Sequence, residues 1–84
     1  MIDANPPKFT WGQTVRVKSN TYLPDRGGEL GEVCDVVTVQ TSEHAQSVFG
    51  GSICEIAYLV EFGDGLSFEM VGDLLEPRSE AIAN

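Results

Sequence analysis

Basic side chains are what this chain has least of. Five lysines and arginines stand against thirteen aspartates and glutamates in 84 residues, a formal net charge of -8. All five, Lys8, Arg16, Lys18, Arg26 and Arg78, lie outside residues 27–77, while that interval holds Glu29, Glu32, Asp35, Glu43, Glu55, Glu61, Asp64, Glu69, Asp73 and Glu76. Ten negative charges therefore face no counterion within their own stretch of sequence. Such a field repels phosphate backbones and anionic membrane surfaces and favours a basic protein partner, so the reading carries no nucleic acid and no membrane. The same charges also serve plain solubility.

Cysteine and histidine are equally scarce. Cys34 and Cys54 show no CxxC or Cys/His ligand spacing, and with the single His44 they fall short of the four ligands of a structural zinc site, so no metal and no cofactor are expected. Both cysteines fall in expected strands and read as buried, reduced thiols packed like small hydrophobes. Long apolar runs are missing: nothing approaches the roughly 20 residues needed to cross a bilayer. The opening MIDANPPKF lacks the basic stretch and apolar segment of a secretory signal, and the chain as given reads as cytoplasmic.

What the chain does have is a core. Hydrophobic residues make up 42%, and seven aromatics (one Trp, two Tyr, four Phe) separate it from a disordered acidic tail. Eighty-four residues suffice for one domain and not two. Proline lacks an amide donor and restricts its neighbour, so Asn5-Pro6-Pro7 marks residues 1–8 as a lead-in; the domain runs over 9–77 and residues 78–84 form a tail.

The periodicity is that of strands. Thr14 to Lys18 alternates, with Val15 and Val17 on one face and Arg16 and Lys18 on the other. Trp11-Gly12 reads as the turn into this strand, with Trp11 packed over one end of the core. Ser19 to Gly31 is rich in turn formers, a long loop whose Tyr22 and Leu23 tuck against the body. Glu32 to Thr41 forms the second strand, with Val33, Val37 and Val39 in core phase. Asp35 shares that phase, and because an unpaired carboxylate in a core is costly, a bulge near Cys34 to Val36 is expected to turn it outward.

Ser42 to Ser52 lacks strand periodicity and reads as a polar loop with a solvated His44; its Val48 and Phe49 either cap the core or form a contact patch. Ile53 to Phe62 alternates so that Cys54, Ile56, Tyr58, Val60 and Phe62 share a face, with Glu55 and Glu61 opposite. Gly63-Asp64-Gly65 turns the chain into a return strand carrying Leu66, Phe68 and Met70 inward. Asp73-Leu74-Leu75 is a single turn leading into a closing strand, with Leu74 or Leu75 plugging the end.

The order strand, long loop, Gly28-x-x-Gly31-x-Val33, strand, YLVEFGDG hairpin and terminal LLEP resembles the SH3-like barrel superfamily over residues 12–77, in a KOW- or Tudor-like layout. The resemblance implies an all-β fold, a small SH3-like barrel of about five short antiparallel strands with long loops. Its relatives differ in role. KOW modules bind RNA, which this acidic chain opposes, and Tudor modules use aromatic cages. Trp11, Tyr22, Tyr58 and Phe62 are the only cage candidates, and two of them have core phase. The variable subunit of ferredoxin-thioredoxin reductase and the beta subunit of nitrile hydratase carry similar barrels, and some bacterial immunity proteins of polymorphic toxin systems are similar small acidic domains.

No nucleophile, base and metal assemble into a catalytic pattern, and Asp64 with Glu69 read as solvated carboxylates, so no enzyme is expected. The expected function is non-catalytic: a protein-binding module using Glu55, Glu61, Asp64, Glu69 and Asp73 against a basic partner, with Tyr22 and Phe49 as apolar anchors, in the manner of a toxin-neutralising immunity protein. The alternative is an accessory subunit of a redox or hydratase enzyme. Shared negative charge points to a monomer or weak homodimer.

Overall fold

The computed structural model describes residues 7–78. Residues 1–6, most of the expected lead-in, and residues 79–84, nearly all of the expected tail, lie outside that range. Five strands follow one another: β1 Thr14–Val17, β2 Leu30–Thr38, β3 Ile56–Phe62, β4 Ser67–Val71 and β5 Leu75–Pro77, with one short helix, α1 Ser42–Gln46, before β3. Single 3-10 turns at Pro24–Arg26 and Gly72–Leu74 interrupt the loop after β1 and the step from β4 to β5. The strands form one antiparallel sheet in the order β4-β3-β2-β1-β5.

β4 and β5 are the two outer strands, yet only three residues separate Val71 from Leu75. Four residue steps reach at most ~14 Å, whereas the outer strands of a flat five-stranded sheet stand about 19 Å apart. The sheet therefore curls until its edges face one another. It is not closed: no ladder joins β4 to β5, and the expected barrel is an open, curled sheet. Lys18 N–H donating to the Leu74 carbonyl at 2.8 Å ties the connecting turn to the end of β1.

Part of the core lies on the far side of the sheet, where Ala57 and Val71 are buried in one row with Val37, but most of it is on the concave side. Val15, Val17, Val33, Tyr58, Val60, Phe62, Met70 and Leu75 are buried there, as their alternation predicts, and Leu74 joins them. Tyr58 illustrates how a polar tip is accommodated in such a site. Its ring meets Phe9 edge-on at 5.3 Å, and its hydroxyl accepts Lys8 N–H at 2.7 Å, pinning the N-terminal segment to the sheet. Gly31 sits opposite Phe62, and a Cβ there would fall 2.5 Å from Val60 Cγ1, so this strand position requires glycine for close approach. At the β3–β4 turn Gly65 adopts φ 88°, Gly65 N–H donates to the Phe62 carbonyl, and Asp64 Oδ1 accepts Leu66 N–H, the hairpin geometry the Gly63-Asp64-Gly65 signal implies.

The bulge in β2 lies where expected. Val33 pairs with Val60 and Asp35 with Leu59, so Cys34 is the extra residue and Asp35 is exposed. The inserted residue shifts the phase after it, so that Val36 stands opposite Tyr58 on the core side and Val37 stands opposite Ala57 on the other, which corrects the expectation that Val37 shares a face with Val33.

Several sequence expectations are corrected. Trp11 is 76% exposed instead of packed over the core end, and Leu66 at 52% lies on the turn, outside the ladder that would have carried it inward. Tyr22 is exposed as well, while Leu23 packs against the core as expected. The third strand begins at Ile56, because Cys54 takes a left-handed φ of 76°, which no strand accommodates, and its thiol is exposed. Ser42 to Ser52 is not simply loop: Thr41 Oγ1 accepts His44 N–H at 3.0 Å and caps α1. Beyond the helix, Phe49 pairs with Met70 along the outer edge of β4.

Candidate partner-binding face

Residues directly opposite in neighbouring strands put their side chains on one side of a sheet. The register thus assembles the convex face row by row. Thr14, Glu32, Glu61 and Ser67 form a row across four strands, and Asp35, Leu59 and Glu69 form the next. Four carboxylates occupy two adjacent rows. A third row, Glu76, Arg16 and Leu30, brings a cation to the β1 end of the face, where Arg16 Nη1 donates to the Gly28 carbonyl at 3.0 Å.

Glu32 and Glu61 stand directly opposite each other, an arrangement that destabilises a sheet. Among the described residues neither they nor Asp35 has a cation within ion-pair distance. Glu69 has one partner, His44 Nε2 at 2.9 Å, which fastens α1 to β4. An open cleft of about 270 Å³ runs along the Glu32–Glu61 row, lined by Thr14, Leu30, Gly31, Glu32, Glu61, Phe62 and Gly63. Leu30, 39% exposed, supplies an apolar wall.

Cys34 reports on this face. The bulge aims its Sγ at Glu61 Oε1, 3.5 Å away, and at the Glu32 carbonyl, 3.6 Å away. Desolvation raises its pKa first, and the hydrogen bond and negative charge of Glu61, then the charge of Glu32, raise it further. The thiol is held in its protonated, weakly nucleophilic form. Both cysteines are free, but neither is fully buried, which corrects that part of the expectation.

The other candidate residues are scattered. Asp64, at the hairpin turn, accepts from Arg26 Nη2 at 2.8 Å, while Arg26 Nη1 reaches Glu29 at 2.9 Å. The guanidinium lies over Phe62 and Phe68, 4.6 and 5.3 Å from their centroids, and its side chain is only 15% exposed. Hydrogen bonds to Asp64 and then Glu29 raise the Arg26 pKa, and Arg26 holds the Asp64 carboxyl below its ordinary value. Asp73 pairs with Lys8 at 3.1 Å, both widely exposed. Glu55 accepts from Ser52 Oγ at 3.0 Å just ahead of β3. Phe49 packs edge-on against Phe68 and is half-buried, and Tyr22 stands exposed in the long loop beside Gly50.

Of the candidates, then, the fold gathers Glu61 and Glu69 on one face and adds Glu32 and Asp35, which single-strand alternation did not select. The pairing of β2 with β3 spans a long stretch of sequence, so its register is the only signal that would have found them. Arg26, Lys8 and His44 reach Asp64, Asp73 and Glu69, each from far away in sequence. Comparison with protein-family profiles, with curated proteins and with solved structures gives no match.

Proposed function

We propose that this domain is a non-catalytic protein-binding module whose convex sheet face engages a basic surface of its partner. The observation that carries the reading is the Glu32–Glu61 row: two carboxylates directly opposed, with no cation beside them among the described residues, along an open cleft with an apolar wall. Like charges so placed weaken the sheet, and a lysine or arginine from outside would remove that cost on binding. Leu30 gives the contact an apolar component that charge lacks. Neutralisation of a toxin by occluding a basic active cleft, the immunity role suggested by the sequence resemblance, is the form of this function we favour.

The test is capture of the partner from the native cell, followed by association kinetics at rising ionic strength. The on-rate is expected to fall steeply with salt, and the double variant Glu32→Lys, Glu61→Lys to lose binding while keeping its fold. An on-rate indifferent to salt, or unchanged in the double variant, would overturn the proposal.

A further inference from the structure

One strand of the sheet outruns its neighbour. β2 spans nine residues, but β1 pairs with it only as far as Glu32, and the Thr10–Gln13 turn extends the contact by one residue, to Val33. There Gly12, at φ 88°, takes the chain away. Past the bulge, Val36–Thr38 has β3 on one side and, among the described residues, no strand on the other.

Hydrogen-bond parity shows which groups are open. Val39 N–H donates to the Glu55 carbonyl and the Val39 carbonyl accepts Cys54 N–H, so Asp35, Val37 and Val39 turn their backbone groups to the β3 side. Those of Val36 and Thr38 point outward, because alternate residues of an antiparallel strand face opposite neighbours. One of these groups is guarded from within the chain: Val36 N–H donates to Asp35 Oδ1 at 2.9 Å. An unpaired edge of this kind is a template for another strand.

The turn that bonds to Val33, next along the same side of β2, carries the chain's single tryptophan. Trp11 immediately precedes Gly12, whose N–H donates to the Val33 carbonyl at 2.7 Å, and it is 76% exposed in a domain that buries fourteen hydrophobic residues. Tryptophan is among the residues most enriched where binding energy concentrates. Charge then selects the occupant. Asp35 lies on the convex side at the start of the edge and Val36 on the core side, so an added strand fits best with lysine or arginine alternating with apolar residues.

We propose that the Val36–Thr38 edge and Trp11 take up an extended basic segment of the partner protein as an added strand. The inference rests on the acidic-face reading and specifies its binding mode. In the free protein the Asp35 carboxylate occupies Val36 N–H. On binding, a carbonyl of the incoming strand takes over that N–H and the released carboxylate pairs with the strand's cation. A second copy of this chain is a poorer occupant, since it would bring another Asp35 to the same edge.

The probe is a short synthetic peptide in which lysine alternates with valine, titrated into the isotope-labelled full chain, with a same-composition peptide of clustered lysines as control. The alternating peptide is expected to slow hydrogen exchange at the Val36 and Thr38 amides and to shift Trp11 fluorescence. Trp11→Ala should weaken binding at least about tenfold. Thr38→Pro removes one open amide at an edge position where proline is tolerated, and should weaken binding similarly with an unchanged melting midpoint. If both variants bind like the parent while Glu32→Lys, Glu61→Lys abolishes binding, strand addition is wrong and the acidic face stands. If no basic peptide binds even at low salt, both readings fail. Protection of Val36 and Thr38 in a peptide-free dimer would assign the edge to a second copy and overturn the proposal.

Discussion

Two acidic pairs, Glu29 with Asp64 and Glu32 with Glu61, are built from the same kind of side chain and meet opposite fates. The first shares Arg26, which lies nearly buried over Phe62 and Phe68 and bonds to both carboxylates. The second straddles neighbouring strands with a protonated thiol and an open cleft for company. An acidic residue is structural where the fold delivers a cation and an aromatic platform to it. Where the fold delivers neither, its charge is left available to something outside.

The largest blow to this comparison comes from Phe62, which belongs to both regions, supporting Arg26 and lining the cleft. Phe62→Ala should cost about 3–5 kcal/mol, the usual loss for a buried phenylalanine, read as a lower urea midpoint. Arg26→Met comes next. It keeps the apolar cover over the two rings but strands Asp64 and Glu29, so the melting midpoint should drop less than in Phe62→Ala. Its pH dependence should change as well. Because Arg26 depresses the Asp64 pKa, that pair's contribution is complete above the unfolded carboxylate value of about 4 and is lost as pH falls through the lower folded value. The parent should thus lose stability from about pH 4 downward more steeply than the variant. Equal acid sensitivity in the two would mean that the pair is incidental.

Glu61→Gln probes the other region and should act in the opposite direction. Removing one of two opposed like charges is expected to stabilise the sheet by about 0.5 kcal/mol. It should also lower the Cys34 pKa toward its ordinary value, so that Ellman's reagent attacks Cys34 faster than in the parent. Unchanged thiol kinetics would show that Glu61 does not control it. The smallest effect belongs to Lys8→Ala. Its pair with Asp73 is wide open to water, and such pairs contribute ~0–1 kcal/mol that added salt screens away. A loss as large as that of Arg26→Met would erase the distinction between platform-supported and exposed ion pairs.

Much of the sheet could be read ahead of the structure. Val15 and Val17, then Tyr58, Val60 and Phe62, alternate cleanly because the residues between them, Arg16, Leu59 and Glu61, are at least partly exposed, and Gly63-Asp64-Gly65 has few alternatives to a hairpin turn. The bulge near Cys34 followed from one misfit, Asp35 in core phase. The readings that failed did so where alternation was followed past the end of a ladder or, for Val37, past the bulge. Leu66 and Cys54 continue the period of their neighbours, but the turn ends one strand at Phe62 and a left-handed residue delays the start of β3. Trp11 failed for a different reason: size predicts burial only on average, and the Gly12 turn puts this side chain outside. The candidate face was half legible. Glu61 and Glu69 follow from the hairpin, whereas Glu32 and Asp35 needed the register of β2 on β3.

Local chemistry in the chain was enough to set an all-β domain, its hairpin, its bulge and a surplus of negative charge, since each depends on residues a few positions apart. Which carboxylates that charge leaves unanswered was settled only when distant segments met. Arg26 had to reach across 38 positions to find Asp64, and Glu32 came to face Glu61 through a pairing that no short window of sequence contains.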